Sequence, residues 1–330
     1  TLKKSNILSG LVQEKSAPAI IKGLSDSKHL NIGIIGYGGR GGHLVRGAGF
    51  ATTGWTNTVA ENARKNKLDK QFQTFMDQED LNCSLVGVCD LFDVRAEQGL
   101  DASQNEVRPG GKPKKTATRY RHYKDLLAND DIDAVIIATP DHWHSRITID
   151  AAKAGKHVYC EKGLTRTFQE AIDVYDVVKE TGITFQLGHQ NRQVEANEKA
   201  KQIIKQGLLG KINLVELATN RNSPWGAWVW GIHPEGNAKT IDWDTFQEPA
   251  PNKIPFGEEA LKRFFRWRCW FDYGTGLSGD LLSHDFDAIN QIMDLGIPKY
   301  ASSTGGIYFY KDGRDVPDVW NATFEYPDKD

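Results

Sequence analysis

The feature that most constrains this chain is a rhythm. From residue 31 short apolar runs alternate with stretches of helical spacing: LNIGIIG then GHLVRGAG, CSLVGVCD then LFDVRAEQGLDAS, the short HYKDLLANDD, IDAVIIATP then WHSRITIDAAKAG, KHVYCEK then TFQEAIDVYDVVKETG, and finally ITFQLG. Ala171, Ile172, Tyr175 and Val178 recur at helical intervals, whereas the apolar runs are too short for helices. Strands alternating with helices call for a parallel sheet with right-handed crossovers. The expected fold is therefore α/β, with a doubly wound parallel sheet whose chemistry collects at the carboxyl ends of the strands.

After about residue 188 the rhythm changes. EANEKAKQIIKQG reads as a helix and KINLVELATNR as a long strand, followed by a loop rich in Trp, Pro and Gly. GLSGDLLSHDFDAINQIMDLG reads as a helix, and YASSTGGIYFYKDG and DVWNATFEYPD as antiparallel strands joined by a turn. This pattern predicts a second, α+β domain on a mixed, mainly antiparallel sheet. The division is an N-terminal arm over 1–30, the parallel-sheet domain over 31–187 and a substrate and oligomerisation domain over 188–330. A lone final strand is a poor place for a sheet to stop, so the natural chain is expected to continue beyond Asp330, with the second domain incomplete at its C-terminus.

Composition narrows the function. With 41 basic and 43 acidic residues and no basic stripe, the chain lacks the footprint of a nucleic-acid binder. No apolar run approaches the roughly 20 residues that cross a bilayer. Cys83, Cys89, Cys160 and Cys269 show neither CxxC pairing nor zinc spacing and read as free thiols.

IIGYGGRGG carries Gly36, Gly38 and Gly41 in a GxGxxG arrangement, with Gly39 and Arg40 inside it. It follows an apolar strand and opens a helix, the context in which glycines make a tight turn, admit a pyrophosphate and let helix and strand pack closely. Asp90, at the next strand end, is placed to hold the adenosine ribose and to favour NAD over NADP; alternatively it caps the next helix. It follows the glycines by about fifty residues instead of about twenty, which points to a polar, helical insertion over roughly 51–80.

Asp280 and His284 lie four residues apart, on one helical face. A carboxylate beside an imidazole can fix its tautomer and raise its basicity for proton transfer; a surface or capping pair has the same spacing. The glycine-rich entry YGTGLSG and the apolar neighbours Leu281, Leu282, Phe286 and Ile289 favour the functional reading.

IIGYGGRG, ATPDHWH, CEKG and GDLLSHDFD, in this order, resemble the Gfo/Idh/MocA oxidoreductase family, and the likeness runs from residue 31 to the end. The resemblance implies a nicotinamide-binding Rossmann domain joined to a mixed-sheet domain that holds a sugar, cyclitol or related polyol. The family's strand-end Glu-Lys-Pro is matched by Glu161 and Lys162, so Lys162 is expected to touch both nicotinamide and substrate. The family's Asp-xxx-His is matched by Asp280 and His284, the proton-transfer residues, with His284 as base. The family's proline is Gly163 here. Thr139, Pro140, His142 and His144, in TPDHWHS, are expected over the nicotinamide ribose. Read without the family, Asp141, His142 and His144 could ligate a metal, but no second ligand cluster accompanies them and no metal is expected. Gln190, with the cofactor, and Asn191 and Arg192, with the substrate, either make those contacts or form a polar hinge.

Six of the nine tryptophans fall between residues 225 and 270. Aromatic faces suit sugar C–H faces. Trp225 and Trp270 are the expected substrate contacts, the others serving core or interface. SAPAIIKG resembles the segment that follows the export signal in exported members, which leans the location toward the periplasm over the cytoplasm. The function expected is hydride transfer between a carbohydrate hydroxyl carbon and NAD, in a homodimer or homotetramer. The alternative is an NAD-dependent glycoside hydrolase or lyase that recycles a tightly bound cofactor.

Overall fold

The computed structural model describes residues 29–104, 116–219 and 225–327; the arm before residue 29, with SAPAIIKG, lies outside them. Six strands, β1 (Leu30–Ile35), β2 (Cys83–Cys89), β3 (Thr118–Tyr120), β4 (Ala134–Ile137), β5 (His157–Glu161) and β6 (Phe185–Gly188), form one parallel sheet in the order 3-2-1-4-5-6. This is the Rossmann order, and its direction reverses between β1 and β4, where the crevice for a dinucleotide opens. Apolar residues fill both faces: Ile35, Val135 and Ile137 on one, Ile34, Val45 and Leu85 on the other.

Helix α1 (Gly39–Gly47) follows β1 directly. The expected insertion is helical: α2 (Thr53–Lys65), capped by Thr52, and α3 (Gln71–Met76) pack through Trp55 and Phe75, ring centroids 5.3 Å apart. Helices α4 (Asp93–Gln104), α5 (Tyr123–Leu127), α6 (His144–Lys153) and α7 (Phe168–Thr181) make the remaining crossovers. Thr167 caps α7 by accepting from the Glu170 amide, and Gly182 ends it at φ 66°.

Beyond β6 come α8 (Glu195–Lys205), the short α9 (Trp243–Phe246), α10 (Glu258–Phe265), α11 (Ser283–Met293) and a two-stranded antiparallel sheet, β7 (Tyr300–Gly306) with β8 (Val319–Glu325). One expectation fails: residues 211–219 form no strand. A strand holds its shape by pairing, and the described strands β7 and β8 pair with each other, leaving Leu214 and Leu217 exposed. The four cysteines are free. No helix among the described residues is long and apolar enough to cross a membrane.

A third cluster, aromatic, joins the two parts. Phe92, just past β2, packs with Trp228, Trp243, Phe246, Phe264 and Tyr273. Main-chain bonds reinforce it: Asp93 N donates to Thr240 O and Asp242 N to Leu91 O, both at 2.9 Å, with Phe92 and Ile241 bridged.

Candidate active site

The glycine turn is built as the motif demands. Gly36 has φ +90°, and a Cβ there would lie 2.8 Å from the Ala138 carbonyl carbon and oxygen, so the ends of β1 and β4 touch through its missing side chain. A Cβ on Gly41 would lie 2.0 Å from Gly36 O, which shows how closely α1 approaches the strand end. Around Gly39 the space is open to 4 Å, and Gly38 gives α1 no side-chain cap, so first-turn amides are left for an anion. This cradle fits a dinucleotide pyrophosphate.

Asp90 takes part from below. Its Oδ2 accepts from Tyr37 N at 2.6 Å and its Oδ1 from Phe92 N at 2.9 Å. It thus pins the glycine turn to the chain leaving β2 while remaining on the cavity wall; its bonds go to amides outside the first turn of α4, which begins at Asp93. Burial raises its pKa against the opposing pull of Arg95.

The turn opens into a cavity of about 750 Å³. Its walls include Gly38, Gly39 and Arg40, then Thr139, Pro140 and His144, then Glu161, Lys162, Asp280 and His284. Residues far apart in sequence are thereby collected at the strand ends. Lys162 Nζ donates to the Asp280 carbonyl at 2.5 Å and to Asp280 Oδ1 at 2.6 Å. Arg268 Nε donates to the same Oδ1 at 2.8 Å. Burial works against the charge of Asp280, but Arg268 and Lys162 outweigh it and hold the carboxyl below its ordinary range.

Helical spacing pairs Asp280 with His284, but the structure does not. The turn over Ser278–Leu282 is π-helical, and α11 proper begins only at Ser283. Asp280 is spent on Lys162 and Arg268, and no bond from it to His284 exists among the described residues. His284 instead packs edge-on to His189, ring centroids 5.9 Å apart, and its Nδ1 is buried with no partner among the described residues. Burial first, then Lys162, lowers its pKa, so it is a neutral imidazole at pH 7.

Glu161 is a junction. Its Oε1 accepts from Arg40 Nε at 2.8 Å, from Gln190 Nε2 at 2.9 Å and from the Tyr159 hydroxyl at 3.1 Å. Gln190 thus reaches the site through Glu161 and is not on the described cavity wall. Asn191 and Arg192 are not on that wall either; Arg192 pairs with Asp287 at 2.7 Å. His144 ties β4 to β5, its ring nitrogens 2.7 Å from Thr139 O and 3.0 Å from Gly163 O.

His142 turns away from the cavity. Its Nε2 donates to Phe246 O at 2.7 Å inside the aromatic cluster, and burial pushes its pKa down to about 3. Asp141, also buried, accepts from Thr275 N and from its hydroxyl. No group of three or more metal-ligating side chains occurs among the described residues.

The tryptophans exchange roles. Trp270 is packed in the aromatic cluster and Trp225 is exposed off the cavity, while Trp228, Trp230 and Trp267 line it. Trp228 has φ +66°, a left-handed conformation that a bulky residue rarely adopts. It is held there from behind: Arg314 donates to Ala227 O at 2.9 Å and Arg266 to Trp230 O at 2.8 Å. Sequence reasoning missed Arg268 and Arg95. The density of arginine and aromatics in RFFRWRCW was the available signal, but the Arg268–Asp280 bond has no short-range one.

The model of an oxidoreductase family with an NAD-binding Rossmann fold, Gfo/Idh/MocA, matches residues 30–189. A levoglucosan dehydrogenase of Pseudarthrobacter phenanthrenivorans is 28% identical over 200 residues, which are 56% of this chain and 41% of that protein. An alpha-N-acetylgalactosaminidase of Shewanella oneidensis is 28% identical over 203 residues, 60% of this chain and 42% of that one. The chain thus covers under half the length of either relative. Among solved structures, a levoglucosan dehydrogenase in complex with NADH and levoglucosan superposes with a TM-score of 0.57 at 20% identity, over 92% of this chain and 65% of that chain, a likeness of fold.

Proposed function

We propose that this chain, whose residues 30–189 match the Gfo/Idh/MocA oxidoreductases with their NAD-binding Rossmann fold, transfers a hydride between NAD and a hydroxyl-bearing carbon of a carbohydrate. The observation that carries this reading is the position of Lys162. It closes β5, shares the cavity with the glycine turn, and spends two of its donors on Asp280 at 2.5 and 2.6 Å. An ammonium has three donors, so one remains for a substrate oxygen.

Bound NAD supplies the hydride acceptor. The uncapped first turn of α1 receives the pyrophosphate, and Glu161 holds Arg40 of that turn in register with the end of β5. Asp280, kept ionised by its two cations, fixes the Lys162 ammonium so that it polarises the substrate hydroxyl. His284, neutral at pH 7, takes the hydroxyl proton. Trp228, Trp230 and Trp267 offer flat apolar surface to the sugar ring. In this reading residues 31–187 are the dinucleotide-binding domain and residues from 188 onward supply the substrate wall.

A second reading, redox-neutral glycoside cleavage with a recycled cofactor, is favoured by the likeness to the alpha-N-acetylgalactosaminidase. Denaturing the purified protein and assaying the supernatant for NAD and NADH separates the two. Little bound nicotinamide together with sugar-dependent NADH formation, lost in Lys162→Met, supports the dehydrogenase. Stoichiometric nicotinamide with aglycone release and no net NADH refutes it and favours cleavage. No NAD binding at all sinks both.

A further inference from the structure

At the reactive end of the cavity most carboxylate oxygens are already committed. Glu161 Oε1 is filled by Arg40, Tyr159 and Gln190. Asp141 Oδ2 is taken by Thr275, through its amide and its hydroxyl. That leaves Asp280, one carboxylate, shared between Lys162 and Arg268. Asp280 thus divides its charge between two cations, and Asp141, which both cations also feel, is the second carboxylate of this group. His284 faces it without adding to the charge, and Asp90 lies past β2, committed to the amides of Tyr37 and Phe92.

Arg268 is the member of the group with a pair of nitrogens left. Its Nε is used on Asp280, and its guanidinium lies 4.1 Å over the Trp267 ring centroid. These two contacts fix the plane of the fork. The terminal nitrogens bond no acceptor among the described residues, and the side chain, 29% exposed, is on the cavity wall. A guanidinium held by Nε and by a stacked ring presents its far edge in the geometry that matches a carboxylate with two parallel bonds. The cofactor's pyrophosphate is provided for elsewhere, at the uncapped start of α1.

We propose that the substrate is an acidic carbohydrate, a sugar bearing a carboxylate, and that Arg268 grips that carboxylate through its terminal nitrogens. This rests on the reading of the cavity as a carbohydrate site. The carboxylate undergoes no chemistry; it is a handle that turns the reacting hydroxyl carbon toward Lys162. Arg268 is thus a specificity residue as well as a partner of Asp280.

The test is calorimetric titration of the NAD-loaded protein with glucuronate, galacturonate and N-acetylneuraminate, and with glucose, galactose and N-acetylglucosamine. At least one acid should bind tenfold or more tightly than every neutral sugar, a difference of about 1.4 kcal/mol. Arg268→Gln should abolish that preference by weakening the acid far more than the neutral sugars, and Arg268→Lys should restore part of it. Equal binding of acids and neutral sugars overturns the inference while leaving the carbohydrate reading in place. So does an Arg268→Gln protein that loses both classes equally, because Arg268 would then act solely through Asp280. Loss of NAD affinity in Arg268→Gln without sugar present overturns it by assigning the fork to the cofactor. If no sugar of either class binds, the inference falls together with the carbohydrate reading.

Discussion

Gly163 follows Lys162 at the position where the family pattern has proline. A methyl group on it would lie 2.9 Å from Asp141 Oδ2, 3.0 Å from Asp141 Cγ and 3.0 Å from Thr275 Oγ1. None of these atoms can step aside cheaply. Asp141 is 4% exposed, and its Oδ2 accepts from the Thr275 amide at 3.0 Å and from its hydroxyl at 2.6 Å. Overpacking of this kind costs about 1–3 kcal/mol. Losing a hydrogen bond to a charged acceptor is on the same scale, about 1.5–3 kcal/mol. The bonds would stretch by a few tenths of an ångström without breaking, so Gly163→Ala should cost about 2 kcal/mol. At about 2–4 °C per kcal/mol for domains of this size, scanning calorimetry should register a Tm lower by about 4–8 °C. Asp141→Ala supplies the control. With the carboxylate gone the methyl has room, and adding Gly163→Ala should cost about 0.5 kcal/mol or less. Equal increments in the two backgrounds, or a Gly163→Ala protein as stable as the parent, would refute the idea that the Asp141–Thr275 pair excludes a side chain here.

Three further outcomes are expected. The basic form of His284 is the neutral imidazole, and burial followed by Lys162 lowers its pKa; the plateau of kcat/KM should therefore extend below pH 6.5 before falling, and His284→Asn should remove that acidic limb and slow turnover by about 10²–10⁴. Asp90→Ala leaves the buried amides of Tyr37 and Phe92 without their acceptor, at about 1–3 kcal/mol each, and equilibrium titration should show weaker NAD binding; unchanged affinity would mean that the glycine turn holds itself. Trp228→Ala empties a buried site at a cost of about 3–5 kcal/mol, yet Trp228→Gly should be the more stable of the two by about 1 kcal/mol, because glycine is at ease at φ +66°; denaturant unfolding that ranks alanine above glycine would contradict this.

The Rossmann half was legible because each of its signals is local. Ile34 and Ile35 face opposite sides of a buried strand, so the run closes on consecutive apolar residues. Gly36 turns the chain at φ +90° and Gly41 packs on its carbonyl five residues later, so the motif shows in the sequence although Gly36 also meets distant Ala138. The insertion that holds α2 and α3 showed in the gap between the glycines and Asp90, though not as two helices. The site was legible in membership more than in wiring: Glu161, Lys162, Asp280 and His284 share one cavity, but which carboxylate serves which cation depends on pairs that periodicity does not report, Arg40 with Glu161 and Lys162 with Asp280 more than a hundred residues apart. Helical spacing put Asp280 under His284, and the π turn and Arg268 redirected it. Residues 211–219 have the apolar content of a strand, but strand formation depends on a neighbour that sequence periodicity does not report. The same blindness affected the tryptophans. Spacing cannot tell Trp270, in the packed cluster, from Trp228, whose left-handed turn is set by Arg314 and Arg266 from distant segments.

The seam between Leu91–Asp93 and Thr240–Asp242 bears on how such a protein can change. It is sewn by main-chain groups, Asp93 N to Thr240 O and Asp242 N to Leu91 O. These groups are present whatever the side chains, and only proline removes a donor. The wall carrying Trp228, Trp230, Trp267 and Arg268 can therefore be resurfaced by substitution without coming loose from the nucleotide turn. A lineage could explore new sugars on one side of the seam while the hydride chemistry on the other stays fixed.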